Sequence, residues 1–394
     1  MIDQNNPALA INGGSPVTKD IIIIHKPSLE EDDIAVVNEA IRSTFVSGDG
    51  PKCREFEKML SEYLGVKHVF FTTSCTAALD LAFMVKQFPA GSEVIVPNFT
   101  YTSTALAPIL NNLKVVLVDV HPLTGNIDVN KIEEAITNKT VAICPVDYAG
   151  NPVDMDEISL IARKHGLYIV HDTAQSIGTF YKGRKTGTLA DVSCFSFHGT
   201  KNMTTGEGGA LVTDNDDIAE KVKIARDKGT DKFNFITNPE KKGFYEYVSL
   251  GNSYVQSNIL GALGISQLRK LDRMNHRRKQ IAEYYYSELK GIKEITLPKL
   301  EENKIRNWHI FYLLVKPEYR LWMIDALKKE GIGSNVHYNP LHLNQYYEAL
   351  GHGRDLKNSE KFYHSLVRIP IYPSLTNVET GKVIQAVKKV FGVL

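Results

Sequence analysis

The sequence lacks a strong excess of charge of either sign, and it lacks long apolar runs. A formal net charge of +1 over 394 residues gives no electrostatic reason to expect nucleic acid or an acidic membrane as a partner. No apolar stretch approaches the length that spans a bilayer. The first residues also lack the basic and apolar regions of a signal peptide. We therefore expect a cytoplasmic protein without a membrane segment.

Cysteine is scarce, and its spacing is uninformative. Cys53, Cys75, Cys144 and Cys194 form no C-x-x-C pair and no disulfide-like pattern, so reduced thiols are expected. The histidines lack the supporting cysteine or carboxylate spacing of a metal site, so no metal is expected.

Apolar content of 43% and charged content of 23% are ordinary for a globular protein, and the length suggests more than one domain.

Short β-branched runs alternate with helical periodicity over much of the chain. We predict strands at 68–72, 93–96, 114–118, 141–145, 167–171, 192–197 and 210–212, and helices at 29–44, 53–64, 76–85, 103–110, 131–136, 155–165 and 216–228. Apolar strands that alternate with helices predict a parallel sheet covered on both faces. The fold class is therefore α/β.

The two ends of the chain follow a different pattern. Residues 21–24 are predicted to form an edge strand in an otherwise irregular arm, and residues 231–247 a long irregular loop. Beyond it we predict helical structure at 257–289 broken near Leu271, strands at 308–315 and 335–337, and helices at 321–330 and 378–390. This pattern indicates a second, smaller α/β domain.

One lysine follows a predicted strand, in a segment rich in glycine and threonine. Residues 194–211 read CFSFHGTKNMTTGEGGAL, and Lys201 is the lysine in this stretch. A lysine at the mouth of a strand can bond a carbonyl cofactor through its amine. A solvated surface cation is the alternative interpretation.

An aspartate ends the strand predicted before that stretch. Asp172 lies 29 residues before Lys201 and begins the run DTAQ. Ligands gather at the carboxyl ends of parallel strands, and pyridoxal phosphate (PLP) needs both a lysine and a carboxylate beside its ring nitrogen. A helix N-cap is the alternative role for Asp172.

Two further strand ends carry residues suited to a cofactor. Residues 72–79, TTSCTAAL, place small residues at a helix start, where free N–H groups bind phosphate or the side chains merely cap the helix. Residues 98–104, NFTYTST, offer an aromatic ring that either stacks on a planar cofactor or packs in the core.

The order of these motifs resembles one family. DTAQ, YKGRKTG, CFSFHGTKN and GEGGA are similar to the DegT/DnrJ/EryC1/StrS family of PLP-dependent sugar aminotransferases, from about Ser28 to the C-terminus. The resemblance implies the aspartate aminotransferase architecture of fold type I. We accordingly divide the chain into an arm (1–27), a large PLP-binding domain (28–255) and a small C-terminal domain (256–394).

The resemblance also implies site residues. Lys201 would hold PLP and move protons as general acid and base, and Asp172 would keep the ring nitrogen protonated. The further implied cofactor contacts are Cys75 and Thr76 at the phosphate, Tyr101 stacked on the ring, Gln175 at the phenolic oxygen and Ser196 at the phosphate. The family usually has glycine where this chain has Cys75.

Other implied contacts involve a partner subunit and the sugar. In a homodimer with shared active sites, the turn SLGNSY would bring Ser253 or Asn252 to the partner's cofactor phosphate. The alternative for this turn is a helix N-cap by Ser253 or Ser257. His337 and His342, in VHYNPLH, would line the sugar pocket, and hydrogen bonds between domains are their alternative role.

The implied reaction moves an amino group from L-glutamate to a keto sugar. KGTD, SLGNSY and VHYNPLH are most similar to enzymes that aminate dTDP-4-keto-6-deoxyhexoses, which suggests a role in surface polysaccharide (lipopolysaccharide or O-antigen) biosynthesis. A keto-octulosonate, a 3-keto sugar or an aminocyclitol precursor would suit the same chemistry. A PLP-binding sensor without turnover is the alternative outside catalysis. Relatives in which histidine replaces the lysine are dehydratases, and Lys201 argues against that role.

Overall fold

A computed structural model of the chain describes residues 2–232 and 245–393. Its α-helices are α1 (Glu31–Arg42), α2 (Pro51–Leu64), α3 (Cys75–Met84), α4 (Thr102–Leu110), α5 (Met155–His165), α6 (Asp216–Arg226), α7 (Asn258–Leu289), α8 (Pro317–Lys329), α9 (Lys357–Ser365) and α10 (Asn377–Val390). Within these residues, none of the helices is long and apolar enough to cross a membrane.

The strands are short and mostly buried. They are β1 (His68–Thr72), β2 (Glu93–Pro97), β3 (Lys114–Val118), β4 (Thr140–Ile143), β5 (Tyr168–Asp172), β6 (Phe180–Tyr181), β7 (Arg184–Lys185), β8 (Val192–Ser196), β9 (Gly209–Thr213), β10 (Lys304–Ile305), β11 (Phe311–Leu314) and β12 (Leu366–Ile369). Seven of them form one sheet in the order β1-β9-β8-β5-β4-β2-β3. All pairs are parallel except those of β9, which runs antiparallel to β1 and β8. The predicted α/β class is confirmed.

Alternation along the strands explains why helices cover both faces of this sheet. Val94 and Val96 of β2 pack on the side of α3 and α4, whereas Ile95 packs on the side of α5. Successive side chains of a strand point to opposite faces. Because both sets are apolar, the strand is buried on both sides.

A second core lies around the two-stranded sheet of β11 and β12. It includes side chains of α8, α10 and the end of α7, and also Leu9 and Ile22 of the N-terminal arm. The start of α7 packs instead against the large sheet, through Ile265 and Leu268. The helix therefore joins the two cores, and the division into a large and a small domain stays a proposal.

Several local predictions were wrong. The helix predicted to break near Leu271 is continuous. Its first half packs against the large sheet and its second half against the second core, so the apolar pattern changes although the helical backbone does not. Residues 131–136 form 3-10 turns rather than an α-helix. In residues 21–24 and 335–337, Ile22 and Asn335 make single bridges, not strands.

Other elements were missed or shifted. Neither α9 nor β12 was predicted, and the strand predicted at 308–315 is limited to β11. Most of the predicted loop at 231–247 lies outside the described residues.

Candidate active site

A cavity of about 620 Å³ opens at the carboxyl ends of the large-sheet strands, and residues of the C-terminal part of the chain and of the arm complete its lining. Its lining includes most of the predicted site residues: Cys75, Thr76, Tyr101, Asp172, Gln175, Ser196, Lys201 and His337. Among its other lining residues, which were not predicted as site residues, are Ile24, His25, His309, Asn335, Tyr338 and Arg368. The carboxyl ends of adjacent parallel strands meet at one edge, which explains how distant motifs converge.

Asp172 is the last residue of β5 and is buried. Its carboxylate accepts hydrogen bonds from Thr104 Oγ1 at 2.8 Å and from the Ala174 amide at 3.1 Å. Burial raises the pKa of this carboxyl, which these hydrogen bonds and the charge of Lys201 partly offset. No helix starts at Asp172, so the N-cap alternative does not describe it.

Lys201 lies in the turn after β8, where its amide donates to the His198 carbonyl at 2.8 Å. Its side chain is half-buried, so it is not a solvated surface cation. Burial lowers the pKa of the amine, and the nearby Cys75 thiol and Asp172 carboxylate oppose this effect. A larger share of neutral amine makes the lysine a better nucleophile toward a carbonyl group.

The start of α3 forms an anion cradle. Ser74 caps the helix by accepting from the Ala77 amide at 3.0 Å. The amides of Cys75 and Thr76 have no acceptor within residues 2–232 and 245–393, as expected at a helix start. Such N–H groups, at the positive end of a ten-residue helix, favour a phosphate.

The strand below the cradle approaches it closely. Cys75 has ordinary helical geometry, so cysteine in place of the family's glycine imposes no backbone strain. A Cβ at Gly209 would lie 2.3 Å from the Cys75 nitrogen. Glycine is therefore required on β9, below the cradle, and not at position 75.

Two aromatic residues form one wall of the cavity. Tyr101 is 54% exposed, with its ring centroid 5.6 Å from that of Tyr338. Phe99, the other aromatic of that loop, is fully buried. Gln175 Nε2 donates to the Tyr338 hydroxyl at 3.1 Å, and Gln175 Oε1 accepts from the Ala149 amide at 2.8 Å. The core alternative thus describes Phe99, and Tyr101 stays available to stack on a planar group.

The predicted sugar-contacting histidines lie in different places. His337 lines the cavity, and its Nδ1 accepts from the Arg368 guanidinium. His342 is not among the lining residues; it contacts the Asn98 side chain at 2.9 Å and Glu360 at 3.1 Å. The alternative of a hydrogen bond between domains therefore describes His342.

The turn predicted to reach a partner lies outside this chain's cavity. Asn252 and Ser253 are both exposed, and Asn252 Nδ2 donates to the Tyr254 hydroxyl at 3.0 Å. The cap of α7 is Ser257, which accepts from the Leu260 amide at 3.4 Å. Ser253 therefore does not serve as the helix cap.

Arg368 is the most informative lining residue that the sequence analysis missed. It is only 6% exposed, and its Nε has no hydrogen-bond partner among the described residues. Within the same residues no carboxylate pairs with it, and burial lowers its pKa. An arginine inside the apolar run LVRIPI (366–371) was a detectable signal, because such a charge is rarely buried without a ligand.

The polar groups that line the cavity fit PLP. Lys201 offers an amine for the aldehyde, Asp172 a buried carboxylate for the ring nitrogen, and the α3 cradle amides for the phosphate. Ser196 faces the same cavity, and its hydroxyl has only a long 3.4 Å contact from the His198 amide. The cavity therefore offers a suitable group to the aldehyde, the ring nitrogen and the phosphate of PLP.

Comparison with known proteins agrees with this chemistry. The profile of the DegT/DnrJ/EryC1/StrS aminotransferase family matches residues 27–388. The chain belongs to that family. The family's aminotransferases use PLP, and similar solved structures include a PLP form, so PLP is the cofactor of this protein.

Three similar proteins are named for polysaccharide or sugar biosynthesis, and two of them are aminotransferases. The spore coat polysaccharide biosynthesis protein SpsC of Bacillus subtilis is 36% identical, over 92% of this chain and 95% of that protein. The UDP-4-amino-4,6-dideoxy-N-acetyl-beta-L-altrosamine transaminase of Campylobacter jejuni is 33% identical, over 91% of this chain and 94% of that enzyme. PseC of Helicobacter pylori, an aminotransferase involved in pseudaminic acid biosynthesis, superposes with a TM-score of 0.88 at 30% identity, covering 95% and 100% of the two chains. This family member is a sugar aminotransferase with the fold type I architecture.

Proposed function

We propose that this sugar aminotransferase transfers the amino group of L-glutamate to a nucleotide-linked 4-keto-6-deoxyhexose. The observation that carries the donor proposal is the unpaired, buried Arg368 in the cavity of Lys201. The sugar proposal is supported by the motifs named above and by the Campylobacter relative, whose name specifies a UDP-linked 4-amino-4,6-dideoxy sugar. A role in surface polysaccharide biosynthesis follows as part of this proposal.

The residues divide the work between binding and proton transfer. When bound, PLP takes up the amino group of one substrate and delivers it to the ketone of the other. Lys201 moves protons at the reacting carbon as general acid and base. Asp172 holds the ring nitrogen protonated, Tyr101 limits the tilt of the ring, and the α3 cradle fixes the phosphate.

Charge in the cavity favours a donor with a carboxylate. The phosphate occupies the α3 cradle in this proposal, and Arg368, which lines the same cavity, is left without an anion. A guanidinium binds a carboxylate through two parallel hydrogen bonds. One of its nitrogens already contacts His337, so its orientation is set before the donor arrives. L-glutamate meets this requirement.

Replacing Arg368 with glutamine should weaken donor binding selectively. Hydrogen bonds to charged groups contribute about 1.5–3 kcal/mol, so KM for L-glutamate should rise about 10- to 100-fold. The measurement is the rate at which L-glutamate converts the PLP form to the pyridoxamine form. Lysine at this position keeps the charge but not the planar fork, and should restore only part of the affinity.

Two controls test whether the effect of Arg368→Gln is specific to binding of the amino donor. Arg320→Gln removes a buried arginine that contacts the Tyr363 carbonyl away from the cavity, and should leave KM unchanged. Arg368→Gln enzyme already in its pyridoxamine form should aminate the sugar at the normal rate. A raised KM for the sugar with an unchanged KM for glutamate would assign Arg368 to the acceptor instead.

The acceptor is identified by a direct assay. Enzyme charged with L-glutamate is mixed with nucleotide-linked 4-keto-6-deoxyhexoses, a keto-octulosonate, a 3-keto sugar and an aminocyclitol precursor, and products are identified by mass. We expect amination of a 4-keto-6-deoxyhexose. Preference for another ketone would correct the substrate, and a donor half-reaction without any aminated product would favour the sensor role.

We also propose a homodimer in which the turn of Asn252 and Ser253 reaches the partner's cofactor phosphate. Both side chains are exposed and lie outside their own cavity, and either can donate a hydrogen bond to an anion. We favour Ser253 from its register with the family turn and keep Asn252 as the second candidate.

Mixing two inactive variants tests this arrangement. Lys201→Ala lacks the lysine, and the double variant Asn252→Phe with Ser253→Phe blocks the turn. If sites are shared, random exchange should give about a quarter of wild-type activity, since half the dimers carry one native site. Each variant incubated alone is the control. Verified subunit exchange without recovered activity would show that the turn does not serve the partner.

A further inference from the structure

The N-terminal arm connects the two sides of the cavity. Ile22 pairs with the second core, where its amide donates to the Gly331 carbonyl at 2.9 Å and its carbonyl accepts from the Gly333 amide at 2.8 Å. A Cβ at Gly333 would lie 2.9 Å from the Ile24 nitrogen, so the arm lies directly against this backbone. Three residues after Ile22, His25 reaches the turn that carries Lys201.

The contact of His25 with that turn defines its tautomer. Its Nε2 lies 2.8 Å from the Gly199 carbonyl oxygen. A carbonyl only accepts, so Nε2 carries the hydrogen. Burial lowers the pKa of His25 to about 4, so the ring is neutral at physiological pH and Nδ1 keeps a free lone pair.

That lone pair is available to a ligand. His25 lines the cavity together with Lys201 and Arg368. Its Nδ1 has no hydrogen-bond partner within residues 2–232 and 245–393, and it is not among the buried polar atoms that lack a partner. The atom is therefore solvent-accessible in a side chain that lines the cavity, and it can only accept a hydrogen bond.

The reactants differ in what they offer to such an acceptor. The phosphate of PLP and the carboxylates of an amino acid present acceptor oxygens, and the amino nitrogen of the donor is engaged in the reaction itself. A sugar presents hydroxyl groups, which donate. We propose that His25 is a specificity-determining residue whose Nδ1 accepts a hydrogen bond from a hydroxyl of the keto sugar. This inference rests on the proposed keto-sugar acceptor.

His25 lies on a different segment from the proposed catalytic residues. It belongs to the arm, two residues before the 27–388 segment that the family profile matches, whereas Lys201 and Asp172 lie at the ends of strands of the large sheet. A substitution at His25 can therefore alter a sugar contact without changing those residues.

Two conservative variants separate this role from a purely structural one. In His25→Gln the side-chain amide reaches the position of Nε2 and keeps the bond to Gly199, but the Nδ1 acceptor is lost. In His25→Asn the amide oxygen takes the position of Nδ1 and the bond to Gly199 is lost. The acceptor half-reaction is measured with enzyme in the pyridoxamine form and the keto sugar identified above, and the donor half-reaction with L-glutamate.

We expect His25→Gln to raise KM for the keto sugar about 3- to 10-fold, the range of one neutral hydrogen bond. The donor half-reaction should not change, and His25→Asn should stay closer to the wild type. A sugar analogue that lacks the contacted hydroxyl should show equal KM values with wild-type and His25→Gln enzyme. A panel of monodeoxy sugars identifies that hydroxyl.

Other outcomes overturn the inference. If His25→Gln behaves as the wild type while His25→Asn is impaired, the histidine only ties the arm to Gly199. Equal slowing of both half-reactions would show a general distortion of the cavity. Failure of the wild-type enzyme to aminate any keto sugar would overturn the proposed function together with this inference, and is thereby distinguishable from a failure of the inference alone.

Discussion

Lys201→Ala enzyme is expected to lose the yellow colour of the PLP-loaded protein and nearly all transamination. General acid–base catalysis alone contributes about 10²–10⁴-fold, and the variant also loses the amine that attaches the cofactor, so kcat should fall by at least that factor. The fold should survive, because the side chain forms no hydrogen bond within the described residues and the turn is fixed by its backbone. Absorption spectra and steady-state kinetics measure both effects.

Borohydride reduction gives an independent readout of the same residue. Reduction of the wild-type protein should fix the cofactor on the peptide that contains Lys201, and no label should form in the variant. Lys67→Ala is the matched control, because Lys67 is an exposed lysine paired with Asp216 on the surface. Small external amines should restore part of the proton transfer in Lys201→Ala. Full transamination by this variant would refute the assignment.

The sequence predicted the large sheet well because its strands carry an unambiguous pattern. In β2, three successive residues are apolar and buried, as a strand covered on both faces requires: Val94, Ile95 and Val96. The strand predicted at 93–96 differs from β2 (Glu93–Pro97) by one residue at its end. The same pattern placed Asp172 and Lys201 at strand ends, where parallel topology brings them to one edge. The antiparallel direction of β9 was not predicted, because a short apolar run has the same sequence pattern in a parallel and in an antiparallel strand.

The rest of the cavity could not be predicted because it depends on packing between distant segments. His337 and His342 have similar local sequences, yet one lines the cavity and the other contacts Asn98. His25 comes from an arm whose path is determined by the second core. Hydrophobic periodicity indicates that a helix has an apolar face, but it does not specify the partner, so α7 was predicted to break where it only changes partners.

Asp172→Asn should keep the fold and lose most of the activity. Asparagine is nearly isosteric: its oxygen can accept from the Ala174 amide, and its Nδ2 can donate to Thr104 Oγ1. The Thr104 hydroxyl can then donate to Thr100 Oγ1, 2.7 Å away. The neutral amide cannot hold a positive charge on the ring nitrogen. Removing one member of a buried charge pair costs about 3–5 kcal/mol, which corresponds to a kcat lower by roughly 10²- to 5 × 10³-fold.

A cofactor analogue separates this role from a structural one. PLP methylated at the ring nitrogen carries a permanent positive charge and needs no carboxylate to maintain it, so it should restore a substantial part of the activity of Asp172→Asn. It should not improve the wild-type enzyme. Asp156→Asn, which removes a partly exposed carboxylate paired with Lys182 and Arg184, is the matched control and should be fully active. Near-normal kcat in Asp172→Asn with ordinary PLP would mean that another acid serves the ring, and that Asp172 only holds Thr104 and the Ala174 amide in place.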